Sequence, residues 1–244
     1  MRKMCKAGVG VLVCATMLAG CGTSLEADDN LVYVDKKGTV TSIDVESLDE
    51  NFYDADELQS FVDEEVADYN DENGKDSVKV ESLTVEDGTA KLQMKYKTTQ
   101  DYTTFNGIEL YQGTVVASLA DGYSYDGTFA KVEDGEVTGT ATKEEIYAED
   151  GLKVVIIKAN TDVEVAGKIC YVSTENVKLT GNNTVSIRDG YSLTEEETAD
   201  ETVATEEAAT EAEVDAAADS NDDTTYIADN DSFETEVYTF IVYK

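Results

Sequence analysis

Two hydrophobic periods alternate along residues 31–188. Residues 31–34 and 39–45, rich in strand-forming residues, flank Asp35-Lys36-Lys37-Gly38, which predicts a β-hairpin. From Asp54, a candidate helix cap, the period lengthens. Leu58, Phe61, Val62, Val66 and Tyr69 recur at i, i+3, i+4 spacing and predict one amphipathic helix over 54–73, ended by Asn73-Gly74. The two-residue period returns at 77–85 and 89–97, joined through Glu86-Asp87-Gly88. In the second of these strands Ala90, Leu92, Met94 and Tyr96 fall on one face, and Lys91, Gln93, Lys95 and Lys97 on the other. Residues 98–121 read as one or two short helices about Asn106-Gly107, and 129–132 and 136–140 as weak strands. Residues 152–159 (LKVVIIKA) are apolar on both faces and predict a central strand. Short strands follow at 163–165, 167–172, 177–179 and 184–187.

From Asp189 to Tyr243 there is no Lys or Arg; residues 190–233 break the pattern, and 194–223 within them are nearly all acid, Ala and Thr. Such a stretch buries too little apolar surface to offset chain entropy, so it is expected to be disordered. Residues 235–244 (TEVYTFIVYK) then place Val237, Ile241 and Tyr243 on one face and Tyr238, Phe240 and Val242 on the other. A strand apolar on both faces belongs inside a sheet. The acidic stretch is therefore expected to be an excursion looped out before the last core strand. The expected fold is α+β: one domain made of residues 31–189 plus 234–244, a largely antiparallel sheet with the 54–73 helix packed on one face.

The first 21 residues differ in kind. Arg2, Lys3 and Lys6 precede a short apolar run, 7–18, too short to span a bilayer, and the run ends in Leu18-Ala19-Gly20-Cys21. This arrangement resembles the signal peptide and lipobox of bacterial lipoproteins. The resemblance implies that residues 1–20 are removed and that the Cys21 sulfur carries a diacylglyceryl group. It implies a palmitate-type lipid anchor at the outer face of the cell membrane, in a Gram-positive-type envelope. Two acyl chains hold durably where one binds only reversibly. Residues 21–30 would then be a lipidated tether reaching at most ~30 Å at full extension.

The chain carries a formal charge of −35, and removing the signal takes away three positive charges and no acid, giving −38. That charge argues against nucleic-acid partners and repels anionic headgroups. Of the four cysteines, Cys5 and Cys14 leave with the signal and Cys21 is the lipidated one, so Cys170 is the remaining thiol and no intramolecular disulfide is expected. Its apolar setting predicts a buried hydrophobe rather than a reactive group. The absence of His removes Ser-His-Asp and Cys-His catalysis and His-based zinc sites, while carboxylate-pair chemistry survives.

Three groups of residues carry candidate chemistry. Acidic clusters at 71–74, 121–127 and 229–234 invite a calcium reading, although none has the EF-hand spacing. Tyr96, Tyr102, Phe105, Tyr111, Tyr123, Tyr125 and Phe129 are dense enough to line a sugar or peptide groove, and ordinary packing is the favoured alternative. Lys75, Lys79, Lys91, Lys95 and Lys97 are the main basic concentration, a solvated face or a surface on which the acidic stretch folds back. No catalytic residue or cofactor is expected from the sequence, and metal ligands are left unassigned. The function expected is a membrane-anchored, non-catalytic envelope module with a protein or glycan partner. A carboxylate-dependent hydrolase of envelope polymer and a calcium-stabilised surface domain are the alternatives.

Overall fold

The computed structural model describes residues 25–48, 55–86, 88–193 and 237–244. Cys21 and residues 194–233 of the acidic stretch lie outside the described residues.

Thirteen described strands form two sheets rather than the single sheet expected. The first sheet holds β1 (Leu31–Val34), β2 (Val40–Ser47), β3 (Val78–Glu86), β4 (Thr89–Tyr96), β9 (Asp162–Val165), β11 (Glu175–Leu179) and β12 (Thr184–Ser192). Its order is β11-β12-β9-β1-β2-β4-β3. The second holds β5 (Leu110–Thr114), β6 (Phe129–Glu133), β7 (Glu136–Ala141), β8 (Lys153–Ile157), β10 (Ile169–Ser173) and β13 (Thr239–Tyr243), in the order β5-β8-β13-β10-β6-β7. Pairing is antiparallel except between β1 and β9. The α+β reading with mostly antiparallel strands therefore stands at the coarse level.

The reason for two sheets lies in β8 and β13, which are apolar on both faces. Val155 and Ile157 of β8, with Ile241 and Tyr243 of β13, enter a core shared with Val34, Val40, Val163, Val185 and Ile187 of the first sheet. Their alternates, Val154, Ile156, Phe240 and Val242, enter a second core on the opposite face. That second core is closed by α3 (Val115–Ala120), α4 (Lys143–Ala148) and the loop between α3 and β6, through Val115, Ile146 and Tyr125. One sheet under one helix leaves such strands half exposed, and two layers of cover remove the apolar surface from water. As anticipated, residues 239–243 lie inside a sheet, between β8 and β10.

Helix α1 (Ala55–Asn73) covers the β3–β4 end of the first sheet with Leu58, Val62, Val66 and Tyr69. Phe61 departs from the expectation: it falls on the flank of that stripe and is 58% exposed. Asn70 fixes the end of the helix to the next strand, its Nδ2 donating to Val78 O at 2.8 Å and its Oδ1 accepting from Val78 N at 3.0 Å. Gly74, at φ 110°, makes the turn that sequence reading assigned to it. Short α2 (Thr99–Asn106) follows β4, capped by Thr98 and closed by Gly107 at φ 73°. Strand β5 and helix α4 were not expected. Thr142 and Glu145 form a reciprocal capping box at the start of α4, a spacing visible in the sequence.

Two boundaries shift. Strand β12 runs to Ser192 and Leu193 is buried, so the chain stays in the fold past the 189–190 boundary set by composition. At the other end, residues 25–30 are not a free tether. Asn30 Oδ1 accepts from Val45 N at 2.7 Å, Asn30 O accepts from Asp162 N at 3.0 Å, and Lys91 Nζ donates to Ala27 O. Among the described residues no helix is long and apolar enough to cross a membrane.

Candidate functional site

The loop from Asp121 to Thr128 crosses the outer face of the second sheet and organises a group of aromatic side chains there. Helix α3 starts at Thr114, whose hydroxyl accepts from Ala117 N at 3.1 Å, and ends at Asp121. Gly122, at φ 96°, turns the chain back so that Tyr123 N reaches Ser118 O at 3.0 Å. Alternation then sends Tyr125 inward. Its ring is 1% exposed, stacks on Phe129 at 5.7 Å and meets Phe240 at 4.7 Å. Its hydroxyl shares a 2.8 Å hydrogen bond with buried Ser118.

Tyr123 stays at the surface and joins a row. Its ring centroid lies 4.9 Å from Tyr111 of β5 and 5.9 Å from Tyr238, just before β13. All three are half-buried. Gly113 makes room for the row, because a Cβ there would meet Tyr111 Cζ at 2.8 Å. Two exposed carboxylates flank it. Glu109 accepts the Tyr238 hydroxyl and Asp121 neighbours Tyr111. Hydrogen bonding to Glu109, then burial, pushes Tyr238 up to about 12, and burial, then Asp121, pushes Tyr111 up to about 12. Burial and the same two carboxylates raise Tyr123. The row is thus protonated at neutral pH, offering ring surface beside fixed acceptors.

Tyr238 also forms one wall of a cleft of about 260 Å³ between the 124–128 segment and the 173–175 turn. Asp126 stands at its edge, bonded by the Ser124 hydroxyl and by Lys143 Nζ at 2.7 Å, and the hydrogen bond from Lys143 holds its carboxyl below the usual range. Ser173 does not point freely into the cleft, since its hydroxyl accepts from Phe240 N at 3.0 Å. Leu193 N donates to Thr174 O at 2.9 Å, while Thr174 and Val237 both line the cleft. The chain therefore leaves β12 and returns before β13 at the same rim.

The other sequence candidates disperse. The aromatic run divides in two: Tyr96, Tyr102 and Phe105 pack with Tyr69 beneath α2, with Tyr96 5.1 Å from Tyr102 and Tyr69 5.4 Å from Phe105. Tyr111, Tyr123, Tyr125 and Phe129 belong to the opposite face of the molecule, where Tyr147 and Tyr238 join them. Tyr147 stands on α4, 18 residues past Phe129, whereas Tyr238 is over a hundred residues on, which hid it from a local reading. The acidic cluster at 71–74 ends α1, and that at 121–127 is spent on capping α3 and pairing with Lys143. Among the described residues no three acidic or thiol side chains converge on a possible metal position, and 229–234 lies outside them. Cys170, expected to be buried, is only half-buried against the outer core, and burial raises its thiol.

Sequence reasoning missed Asp44. It sits on the inward face of β2 opposite Leu92, accepts from Ser42 Oγ at 2.8 Å and faces the Tyr96 and Tyr102 hydroxyls. Burial lifts its carboxyl to about 6. Asp44 lines neither surface cleft and belongs to a polar cluster that seats α2. In that cluster Tyr96 Oη donates to Asn106 Oδ1 at 3.3 Å, and Asn106 Nδ2 donates to Tyr102 O at 2.9 Å. No family model matches the chain, and neither curated proteins nor solved structures give a match.

Proposed function

We propose that this chain is a lipid-anchored, non-catalytic binding module of the cell envelope that holds a glycan against Tyr111, Tyr123 and Tyr238. The lipobox ending at Cys21 supports the anchor. The observation that carries the binding reading is the tyrosine row itself. Ring centroids 4.9 and 5.9 Å apart, the first pair tilted and the second edge-on, set three tyrosine rings side by side whose apolar surface suits the C–H faces of sugar rings, and Glu109 and Asp121 beside them accept hydroxyl protons. The acids on this rim, Glu109, Asp121, Asp126 and Glu175, select a neutral or amino-bearing sugar over an anionic one.

The test is a titration of residues 22–244 with neutral and amino-sugar fragments of envelope polysaccharide. Tyrosine emission is the readout, since the chain has no Trp. Saturable binding, lost in Tyr123→Ala and in Tyr238→Ala while the melt is retained, supports the reading. Binding that survives both substitutions, or none at all across the series, rejects it.

A further inference from the structure

The outer face of the first sheet carries a different chemistry. Strand alternation sends Lys91 and Lys95 of β4 away from the core, and Lys79 is the cross-strand partner of Lys95. Leu31 and Ile43 also point to this side, opposite Val32, Val34 and Val40, yet they are only 7% and 2% exposed. Residues 25–30 run over it. Lys91 holds Ala27 O, and Leu25 lines a cleft of about 190 Å³ with Tyr33, Asp35, Thr41, Glu81, Gln93 and Lys95. The leading segment is thus laid along the lysine strand, the position that sequence reading had offered to the acidic stretch.

We infer that this lysine face is the surface the domain turns to the membrane, against the anionic headgroups of the leaflet holding its anchor. The inference rests on the lipid anchor at Cys21. Four residue steps separate Cys21 from Leu25, a reach of at most about 14 Å, so a lipidated sulfur brings the Leu25 end of this face to the headgroup layer. The chain as a whole is strongly acidic, whereas Lys79, Lys91 and Lys95 gather here with Asp76 and Glu81 as the acids paired to them, each at 3.5 Å. Those pairs are about half exposed and exchange readily for lipid phosphate. Repulsion of the remaining acidic surface and attraction of this strip act as one torque. The tyrosine row, on the far side of the second sheet, then faces outward.

The test uses the mature lipidated chain in vesicles of phosphatidylcholine and phosphatidylglycerol, with Cys170→Ala and one fluorophore at Thr84→Cys on the lysine face or at Val116→Cys on α3. Flotation with the vesicles reports the anchor, and quenching by a headgroup-attached nitroxide reports orientation. The expected result is severalfold stronger quenching at position 84 than at 116, reduced to parity by Lys79→Glu, Lys91→Glu and Lys95→Glu together and in pure phosphatidylcholine. Equal quenching at both positions on anionic vesicles, or an unchanged preference on neutral ones, overturns the orientation while leaving the anchor intact. Failure to float overturns the anchor, and the orientation with it.

Discussion

Ser42 donates its hydroxyl to Asp44 at 2.8 Å on the buried side of β2, and this single bond is less than the carboxylate loses by leaving water. The Asp44 carboxyl rises from 3.8 to about 6, burial being the largest cause and Glu46 adding to it. Between those values the native chain holds a proton that the unfolded chain has released. Stability from this group therefore increases as pH falls from about 7 to 4, by up to about 3 kcal/mol for two units. Asp44→Asn, which keeps the shape without the charge, is expected to raise Tm at pH 7.5 by several degrees and to leave little difference from the parent at pH 4. Paired melts across pH 4–8 check this, and a variant less stable at pH 7.5 contradicts it.

The connection between β12 and β13 begins and ends at one rim, at Leu193 and Val237 around Thr174. Replacing residues 196–235 with a short Gly-Ser link is expected to keep a cooperative melt within a few degrees of the parent. Removing 239–244 is expected to abolish it. Phe240, Ile241, Val242 and Tyr243 are all buried, and at ~2 kcal/mol each their loss matches the whole stability of a typical domain. Thermal circular dichroism separates the two outcomes.

Tyr125 combines a packing role with a buried hydroxyl pair to Ser118. Tyr125→Phe leaves Ser118 with its bond to Val115 O at 2.8 Å and is expected to cost about 1 kcal/mol. Tyr125→Ala opens a cavity beside Phe129 and Phe240 and is expected to cost about 3–5 kcal/mol. Urea unfolding of both gives the ratio directly, and near-equal losses would mean that the ring contributes little.

At the start of α4, Thr142 accepts from Glu145 N at 3.3 Å and Thr142 N donates to Glu145 Oε2 at 2.9 Å. Thr142→Ala is expected to cost about 1 kcal/mol. Amide exchange should quicken across 143–148 well before global unfolding, because Glu145 N loses its acceptor while only the return bond from Thr142 N to Glu145 remains at the start of this short helix. Uniform exchange across the chain would place the effect elsewhere.

Much of the secondary structure is local in origin. The stripe Leu58-Val62-Val66-Tyr69 marks α1 from within its own turns, and the alternation from Ala90 to Tyr96 marks β4. What local reading lost were elements whose reason is elsewhere. LYQGT becomes β5 because β8 offers it an edge, Tyr111 pairing with Ile156. Phe61 stays exposed because α1 spans only a narrow end of the sheet. The candidate site follows the same rule: Tyr111 and Tyr123 stand in one aromatic run, but Tyr238, over a hundred residues on, completes the row only once β13 is seated.

The sequence by itself determined the alternating and helical periods, the two-faced apolar strands at 153–157 and 239–243, and the charge and chemistry the chain carries. Those properties belong to a residue and its near neighbours. Only the tertiary structure decided that two sheets share a core, that the 25–30 segment lies on the lysine face, and that burial lifts the Asp44 carboxyl to about 6. Each of those depends on which surfaces leave water together, and that is fixed by contacts between segments far apart in the chain.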